Sequence, residues 1–175
     1  MAIKANIRNT FFAFCASACV AVSAAQLSKS VPSGWNEDLA AAQKAAAAGD
    51  KFVLIAFSGS DWCPWCVKME KDVYATKAFV DGAKKDFELV MVDSPQDESI
   101  LSPLAKKQNP ELLKKYRIRG FPCSVLVHPD GTEARRFEGY QRGGPEAFLK
   151  ELKDAAKAAG ALKKPAAEIK KEEKK

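Results

Sequence analysis

The sequence of 175 residues predicts a single α/β domain in which helices cover both faces of a central mixed β-sheet. Segments of helical and of strand-like pattern alternate along the chain. Residues 52–57 and 87–92 are apolar runs with the length and the β-branched or aromatic content of buried strands. The turn sequence His128-Pro129-Asp130-Gly131 joins two further strand-like runs, residues 124–127 and 132–140, as an antiparallel hairpin.

The first half of the domain is predicted to be helix, strand, helix, strand. An alanine-rich helix begins at the N-cap residue Asn36, carries acidic residues in its first turn and ends at Gly49. After the first strand, a helical region extends to about Lys85, and Thr76 recaps or bends it. The second strand ends at Asp93.

The second half adds a helix, the hairpin and a last helix. Residues 94–108 contain two prolines and mixed charges, which predicts a long loop. Asn109-Pro110-Glu111 is a helix start signal, and it opens a short helix that ends near Tyr116. The last helix opens at Pro145.

Both ends of the chain differ from the domain in composition. Residues 1–25 combine a basic start, an apolar middle and a small-residue end, which predicts a secretory signal peptide that is cleaved near its last two alanines. An uncleaved anchor and acylation at Cys19 are the alternatives. Residues 26–160 form the predicted domain, and residues 161–175, rich in Lys and Glu, are predicted to be disordered. We therefore expect an exported protein that is periplasmic or otherwise outside the cytoplasm.

The formal charge of +6 is concentrated in these two ends. The signal peptide accounts for two positive charges, and the tail from Lys163 carries six Lys and three Glu, which leaves a domain close to neutral. Because the domain lacks clustered basic residues and stacking aromatics, we do not expect it to bind nucleic acid. Export also removes Cys15 and Cys19, and the three remaining cysteines are too few for a framework of structural disulfides.

The sequence Trp62-Cys63-Pro64-Trp65-Cys66 lies where a strand gives way to a helix. Unsatisfied N–H groups and the helix dipole favour an anion there, so Cys63 is the predicted nucleophile. Cys66 lies one turn along the apolar face and is the predicted covered partner. In an oxidising compartment, such a pair is typical of a working redox couple. A structural disulfide or half of a zinc site is the alternative, but only Cys123 and His128 remain as further zinc ligands.

Together with Arg119-Gly120-Phe121-Pro122, this motif resembles the thioredoxin fold family, and more narrowly its exported bacterial members, over about residues 36–159. The resemblance implies thiol–disulfide exchange through a redox-active disulfide, Cys63–Cys66, with no other cofactor and no metal. It also implies that Pro122 is cis, lies against the disulfide and forms the floor of a substrate groove together with Phe121. The rim that contacts polypeptide substrates is predicted to include Trp62, Pro64 and Trp65, although Trp62 could equally pack in the core.

The chain departs from the thioredoxin pattern in three places. Ala56 stands where thioredoxins have a buried acid, so proton transfer with Cys66 needs another group, for which Glu70 is the candidate. The Pro-Trp dipeptide between the cysteines matches neither thioredoxin nor the strong oxidants, which leaves the direction of catalysis open. A third cysteine, Cys123, follows the proline of the second motif, and it is a third redox thiol, a soft-metal ligand or an inert buried residue.

These observations predict a monomeric thiol:disulfide oxidoreductase that acts on protein thiols and disulfides outside the cytoplasm. Reduction or isomerisation, with electrons from a membrane partner, is the preferred direction because no strong-oxidant motif is present. Two alternatives stay open. One is a thioredoxin-like module that carries copper or zinc on Cys63, Cys66 and Cys123, and the other is a non-catalytic partner-binding domain whose disulfide stays closed.

Overall fold

The computed structural model describes residues 28–163. The predicted signal peptide, the acylation site at Cys19 and residues 164–175 of the predicted tail lie outside the described residues.

A mixed four-stranded sheet forms the centre of the described chain, in the order β2-β1-β3-β4. Its strands are β1 (Phe52–Ser58), β2 (Phe87–Asp93), β3 (Cys123–Val127) and β4 (Glu133–Glu138). β1 pairs in parallel with β2 and antiparallel with β3, and β3 pairs antiparallel with β4. The two predicted apolar strands and the predicted hairpin are confirmed.

Helices pack on both faces of this sheet, as predicted. They are α1 (Leu39–Gly49), α2 (Pro64–Met69), α3 (Lys77–Ala83), α4 (Pro103–Lys115) and α5 (Gly144–Lys163). A π-helical turn, Glu70–Tyr74, separates α2 from α3, and a short 3-10 helix, Glu98–Ile100, precedes α4.

Alternation along the strands divides the core into two clusters. Leu54 and Ala56 of β1 face a cluster that includes residues of α2, the π-helical turn, α3 and α5. Val53, Ile55 and Phe57 face the other cluster, with residues of α1 and α4. Because successive side chains of a strand point to opposite faces of the sheet, alternate residues of β1 lie on the α2 side.

Helix α4 differs from the prediction, because it begins at Pro103 within the predicted loop rather than at Asn109. Ser102 is its N-cap, with its hydroxyl accepting a hydrogen bond from the Ala105 N–H. Pro110 therefore lies inside the helix, where it costs one backbone hydrogen bond. The Asn109 side chain is buried and donates to the Asp93 carbonyl at 2.7 Å, so this residue anchors the helix to β2 instead of capping it.

Helix α1 is capped by Asp38 rather than by the predicted Asn36. Asn36 instead forms a parallel bridge with Val90, while its side-chain oxygen accepts from the backbone N–H groups of Glu37 and Asp38. The predicted cap at Thr76 is confirmed, since its hydroxyl accepts from the Phe79 N–H at the start of α3. Helix α5 extends to Lys163, so residues 161–163 are helical rather than disordered.

Candidate active site

Cys63 and Cys66 are joined by a disulfide at the start of α2, with their Cα atoms 5.2 Å apart. Cys63 is the N-cap residue, and its Sγ accepts a hydrogen bond from the Cys66 N–H at 3.2 Å. Pro64 follows as the first helical residue, a position where its missing N–H is no loss. The side chains are almost covered, with Cys63 6% and Cys66 1% exposed. A backbone N–H directed at a cysteine sulfur at the start of a helix is the arrangement that stabilises thiolates in general.

Residues 59–62, here called the lead-in loop, connect β1 to this disulfide. The N–H groups of Trp62 and Cys63 both donate to the Gly59 carbonyl, at 3.4 and 2.9 Å, which closes the loop into a turn. A side chain at position 59 would put its Cβ only 2.4 Å from the Trp62 ring, so glycine is required for the ring to lie over the turn. The Trp62 Nε1–H donates to the Ser94 carbonyl at 2.8 Å.

The second motif lies at the same end of the sheet. The Phe121–Pro122 peptide bond is cis. Cys123, the next residue, pairs with Phe57 near the end of β1, immediately before the lead-in loop. The rings of Phe121 and Trp62 meet edge to face with centroids 5.4 Å apart. The fold thus brings the two sequence motifs into contact through the rings of Trp62 and Phe121.

An apolar surface surrounds the disulfide. Among the described residues, Trp65 is 56% exposed, Val67 51% and Trp62 43%, unusually high for large apolar side chains. The sequence analysis placed the two tryptophans in the substrate rim, with the core as an alternative for Trp62. It made no prediction for Val67, whose exposure depends on the orientation of α2.

Trp65 is supported from one side by Tyr140, with ring centroids 5.7 Å apart. The Tyr140 hydroxyl donates to Asp72 at 2.7 Å, and Lys68 both pairs with Asp72 and lies 5.2 Å from the centre of the Tyr140 ring. Sequence reasoning missed this support, because Tyr140 comes from the turn after β4 and no local pattern connects it with α2.

Glu70 follows α2 directly and is half-buried in the π-helical turn. Burial, and secondarily the negative charge of Asp93, raise the pKa of its carboxyl above the ordinary value. The carboxyl therefore holds its proton at a higher pH than an exposed glutamate does.

Replacing Glu70 by Gln is expected to raise the free energy of unfolding at pH 7 and to leave it nearly unchanged at pH 3. Because the pKa is higher in the folded state, the folded protein binds more protons, and stability falls as pH rises above the ordinary carboxyl pKa of about 4.3. Urea unfolding of the oxidised protein at both pH values measures the difference. Glu111→Gln on the exposed face of α4 is the control, and an equal gain in both variants would contradict the prediction.

Cys123 is buried among the side chains on the α1 and α4 face, together with Phe57, Leu112 and Tyr116. The next residue, Ser124, faces the other way, where its hydroxyl is hydrogen-bonded to the buried Tyr74 hydroxyl at 2.6 Å. Burial raises the pKa of the Cys123 thiol. Within residues 28–163, no group of three or more His, Cys, Asp or Glu side chains has a geometry that could hold a metal ion.

Cys123 is expected to resist alkylation in the native protein because its thiol is covered and stays protonated. Treating the oxidised protein with iodoacetamide at pH 8 should add no carbamidomethyl group at Cys123, and treatment in 6 M guanidinium should add one. Peptide mass spectrometry locates the modification. Rapid native labelling at Cys123 would show a thiol accessible for exchange.

The family model described as a thioredoxin-like domain matches residues 39–156. The chain belongs to this family. The thioredoxin fold predicted from the two motifs is thereby confirmed. The thioredoxin-like chain is 34% identical over 108 residues to a protein of Chlamydia pneumoniae named disulfide bond reductase DsbH, covering 61% of this chain and 63% of that protein.

Two further similarities are to a solved structure and to a larger protein. The structure titled DsbH oxidoreductase superposes with a TM-score of 0.65 at 28% identity, covering 77% of this chain and 93% of the other. Thiol:disulfide interchange protein DsbD of Pseudomonas fluorescens is 32% identical over 98 residues, which is 56% of this chain and 15% of that protein. The chain thus spans less than two thirds of the length of both curated relatives.

Proposed function

We propose that this protein is a thiol:disulfide oxidoreductase that exchanges disulfides with protein substrates outside the cytoplasm. The observation that carries the proposal is the Cys63–Cys66 disulfide at the start of α2, with a backbone N–H directed at Cys63 Sγ. The names of the relatives, disulfide bond reductase and thiol:disulfide interchange protein, support the same chemistry.

Cys63 and Cys66 act in sequence. In the reduced protein, the Cys63 thiolate attacks one sulfur of a substrate disulfide, the substrate S–S bond breaks, and the first substrate thiolate leaves. Cys66 then attacks the Cys63 sulfur of this mixed disulfide and expels the second substrate thiolate. The substrate has gained two electrons and two protons, and the protein holds the Cys63–Cys66 disulfide. The smaller exposure of Cys66 supports this division of roles.

Glu70 is the group we assign to proton transfer with Cys66. It lies one helical turn beyond Cys66, is half-buried, and has a raised pKa. Deprotonating Cys66 for the resolving step places a proton on an acceptor near the site, and a carboxylate with a raised pKa is a better acceptor than an exposed one. This assignment compensates for Ala56, a residue without a titratable side chain.

The substrate polypeptide contacts the apolar rim and the loop of the second motif. Trp62, Pro64 and Trp65 line the rim, and Phe121 and Pro122 form the adjoining floor. The exposure of the two tryptophans and the contact between Trp62 and Phe121 support this surface. Large exposed aromatic side chains of this kind are enriched where proteins bind one another.

Reduction or isomerisation is the proposed direction, with a membrane protein as the electron donor and the chain acting as a monomer without nucleic acid. The reductase name of the DsbH relative supports the direction.

The basic, apolar and small-residue pattern of residues 1–25 supports export to the periplasm. Helices in the described part of the chain are too short or too polar to cross a membrane. Cys123 takes no part in the exchange, which its burial on the α1 and α4 face supports.

An insulin-reduction assay with dithiothreitol as the electron source tests the proposal on the unmodified protein. The protein should accelerate insulin precipitation above the rate with dithiothreitol alone. Reduction followed by iodoacetamide, which alkylates Cys63 as the proposed nucleophile, should abolish the acceleration. Equal rates before and after capping would refute exchange through this pair.

A further inference from the structure

The lead-in loop is held along its length by residues 93–97, which are the last residue of β2 and the segment that follows it. The Ser94 N–H donates to the Ser58 carbonyl at 2.8 Å, continuing the pairing of β1 with β2. The Asp61 carboxylate accepts from the N–H groups of Gln96 and Asp97 at 2.9 and 2.8 Å. Apart from Asp93, no residue of the two segments belongs to a helix or strand, so these hydrogen bonds help to define the conformation of the loop.

Asp93 makes the most buried of these contacts. Its carboxylate accepts from Ser60 twice, from the N–H at 2.9 Å and from the hydroxyl at 2.6 Å. Asp93 is almost completely buried, whereas Asp61 is exposed. A buried carboxylate is costly unless it is hydrogen-bonded, so the two bonds tie Ser60 to Asp93 more firmly than exposed contacts could.

Both sides of this contact are themselves fixed. Asp93 lies in register with Ser58 at the end of the parallel strand pair, and its carbonyl accepts from the buried Asn109 side chain of α4. Ser60 lies inside the turn that closes on the Gly59 carbonyl and ends at Cys63. A displacement of Ser60 therefore changes the direction in which the chain reaches Cys63.

We propose that Asp93 is a positioning residue for thiol–disulfide exchange: through Ser60 it holds the lead-in loop so that Cys63 Sγ and the Trp62 ring keep their places at the start of α2. The inference rests on the proposed function and adds a residue outside both sequence motifs. The nearby charged groups are Asp61, on the exposed side of the same loop, and Glu70, whose pKa the Asp93 charge helps to raise.

The reactivity of Cys63 should therefore depend on the hydrogen bonds between Ser60 and Asp93. Misplacement of a reacting group by about 1 Å can cost about 100-fold in rate, so loosening the loop is expected to slow exchange without unfolding the domain. The Cys66 N–H contact to Cys63 Sγ is expected to weaken as well, which would raise the pKa of the Cys63 thiol.

The test uses Ser60→Ala, Asp93→Asn, the double variant, and Asp81→Asn on exposed α3 as the control. Second-order rates of the reduced proteins with insulin should fall about tenfold or more in each single variant, and the double variant should be no slower than the slower single, because both residues act through one contact. Asp81→Asn should match the wild type. Wild-type rates in folded single variants, or additive losses in the double variant, would overturn the proposal.

The pH profile of Cys63 alkylation supplies a measurement that does not need turnover. Ser60→Ala removes no charge. If alkylation of Cys63 in this variant shifts to higher pH than in the wild type, the shift therefore reports a weakened contact at Cys63 Sγ and not a change in the electrostatic potential. An unshifted profile would contradict the positioning role, even if the variant were less stable. Because this profile is measured without substrate, absence of insulin reduction by the wild type would count against the proposed function and not against the role of Asp93.

Discussion

Cys66→Ser is expected to accumulate as a covalent complex with substrate, while Cys63→Ser forms no complex and reduces insulin no faster than dithiothreitol alone. Cys63 is the N-cap residue with an N–H directed at its sulfur, so it can attack in the absence of Cys66. Without Cys66, nothing in the protein expels the second substrate thiolate, and the mixed disulfide persists. Non-reducing gels of the reduced variants mixed with a disulfide-containing substrate, followed by peptide mass spectrometry, identify the linkage.

Cys123→Ala completes the set of cysteine variants. Its buried place among Phe57, Leu112 and Tyr116 predicts wild-type insulin reduction, with only a loss of stability from the smaller side chain. A trapped complex in Cys63→Ser, linked through Cys123, would show that the third thiol exchanges with substrate. Insulin reduction no faster than with dithiothreitol alone, in the wild type as well as in Cys63→Ser, would favour a different role for the domain, such as partner binding with a closed disulfide.

The pair of cysteines was predictable because both residues, and the strand and helix that position them, lie in one short stretch of sequence. A C-x-x-C between a buried strand and a helix has one local solution, with the first cysteine as N-cap and the second one turn deeper. Thr76 was predictable for the same reason, since a side-chain cap acts on a backbone N–H three residues away. The mixed sheet and its antiparallel hairpin also followed from the order of the elements and the turn at residues 128–131.

The start of α4 was missed because two helix start signals compete in one segment. Asn109-Pro110-Glu111 has the composition of a helix start, yet Ser102-Pro103 provides another, and the helix uses the earlier one. The deciding interaction is tertiary: the Asn109 side chain donates to the Asp93 carbonyl, far away in sequence. Local sequence patterns do not reveal this contact, because its two residues are distant in the chain. The same holds for the Ser60–Asp93 hydrogen bond and for the ring contact between Trp65 and Tyr140.

Phe148→Ala is expected to lower the free energy of unfolding by about 3–5 kcal/mol, since it removes a fully buried aromatic ring and leaves a cavity. The ring stacks on Phe79 with centroids 5.8 Å apart and meets Phe137 edge to face at 5.3 Å. It thereby joins α5 to α3 and to β4. Urea unfolding of oxidised protein measures the loss, and Leu104→Ala, at a half-exposed position of α4, is the control with a small expected effect.

The same variant separates stability from redox chemistry. The Phe148 cluster lies on the α2 side of the sheet but contains neither cysteine of the pair. The oxidised and reduced proteins should therefore lose the same free energy of unfolding, and the equilibrium constant of the Cys63–Cys66 couple with glutathione should stay at the wild-type value. A changed equilibrium constant would mean that the cluster packs differently in the two redox forms, because in a closed thermodynamic cycle the potential changes only when a substitution stabilises one form more than the other.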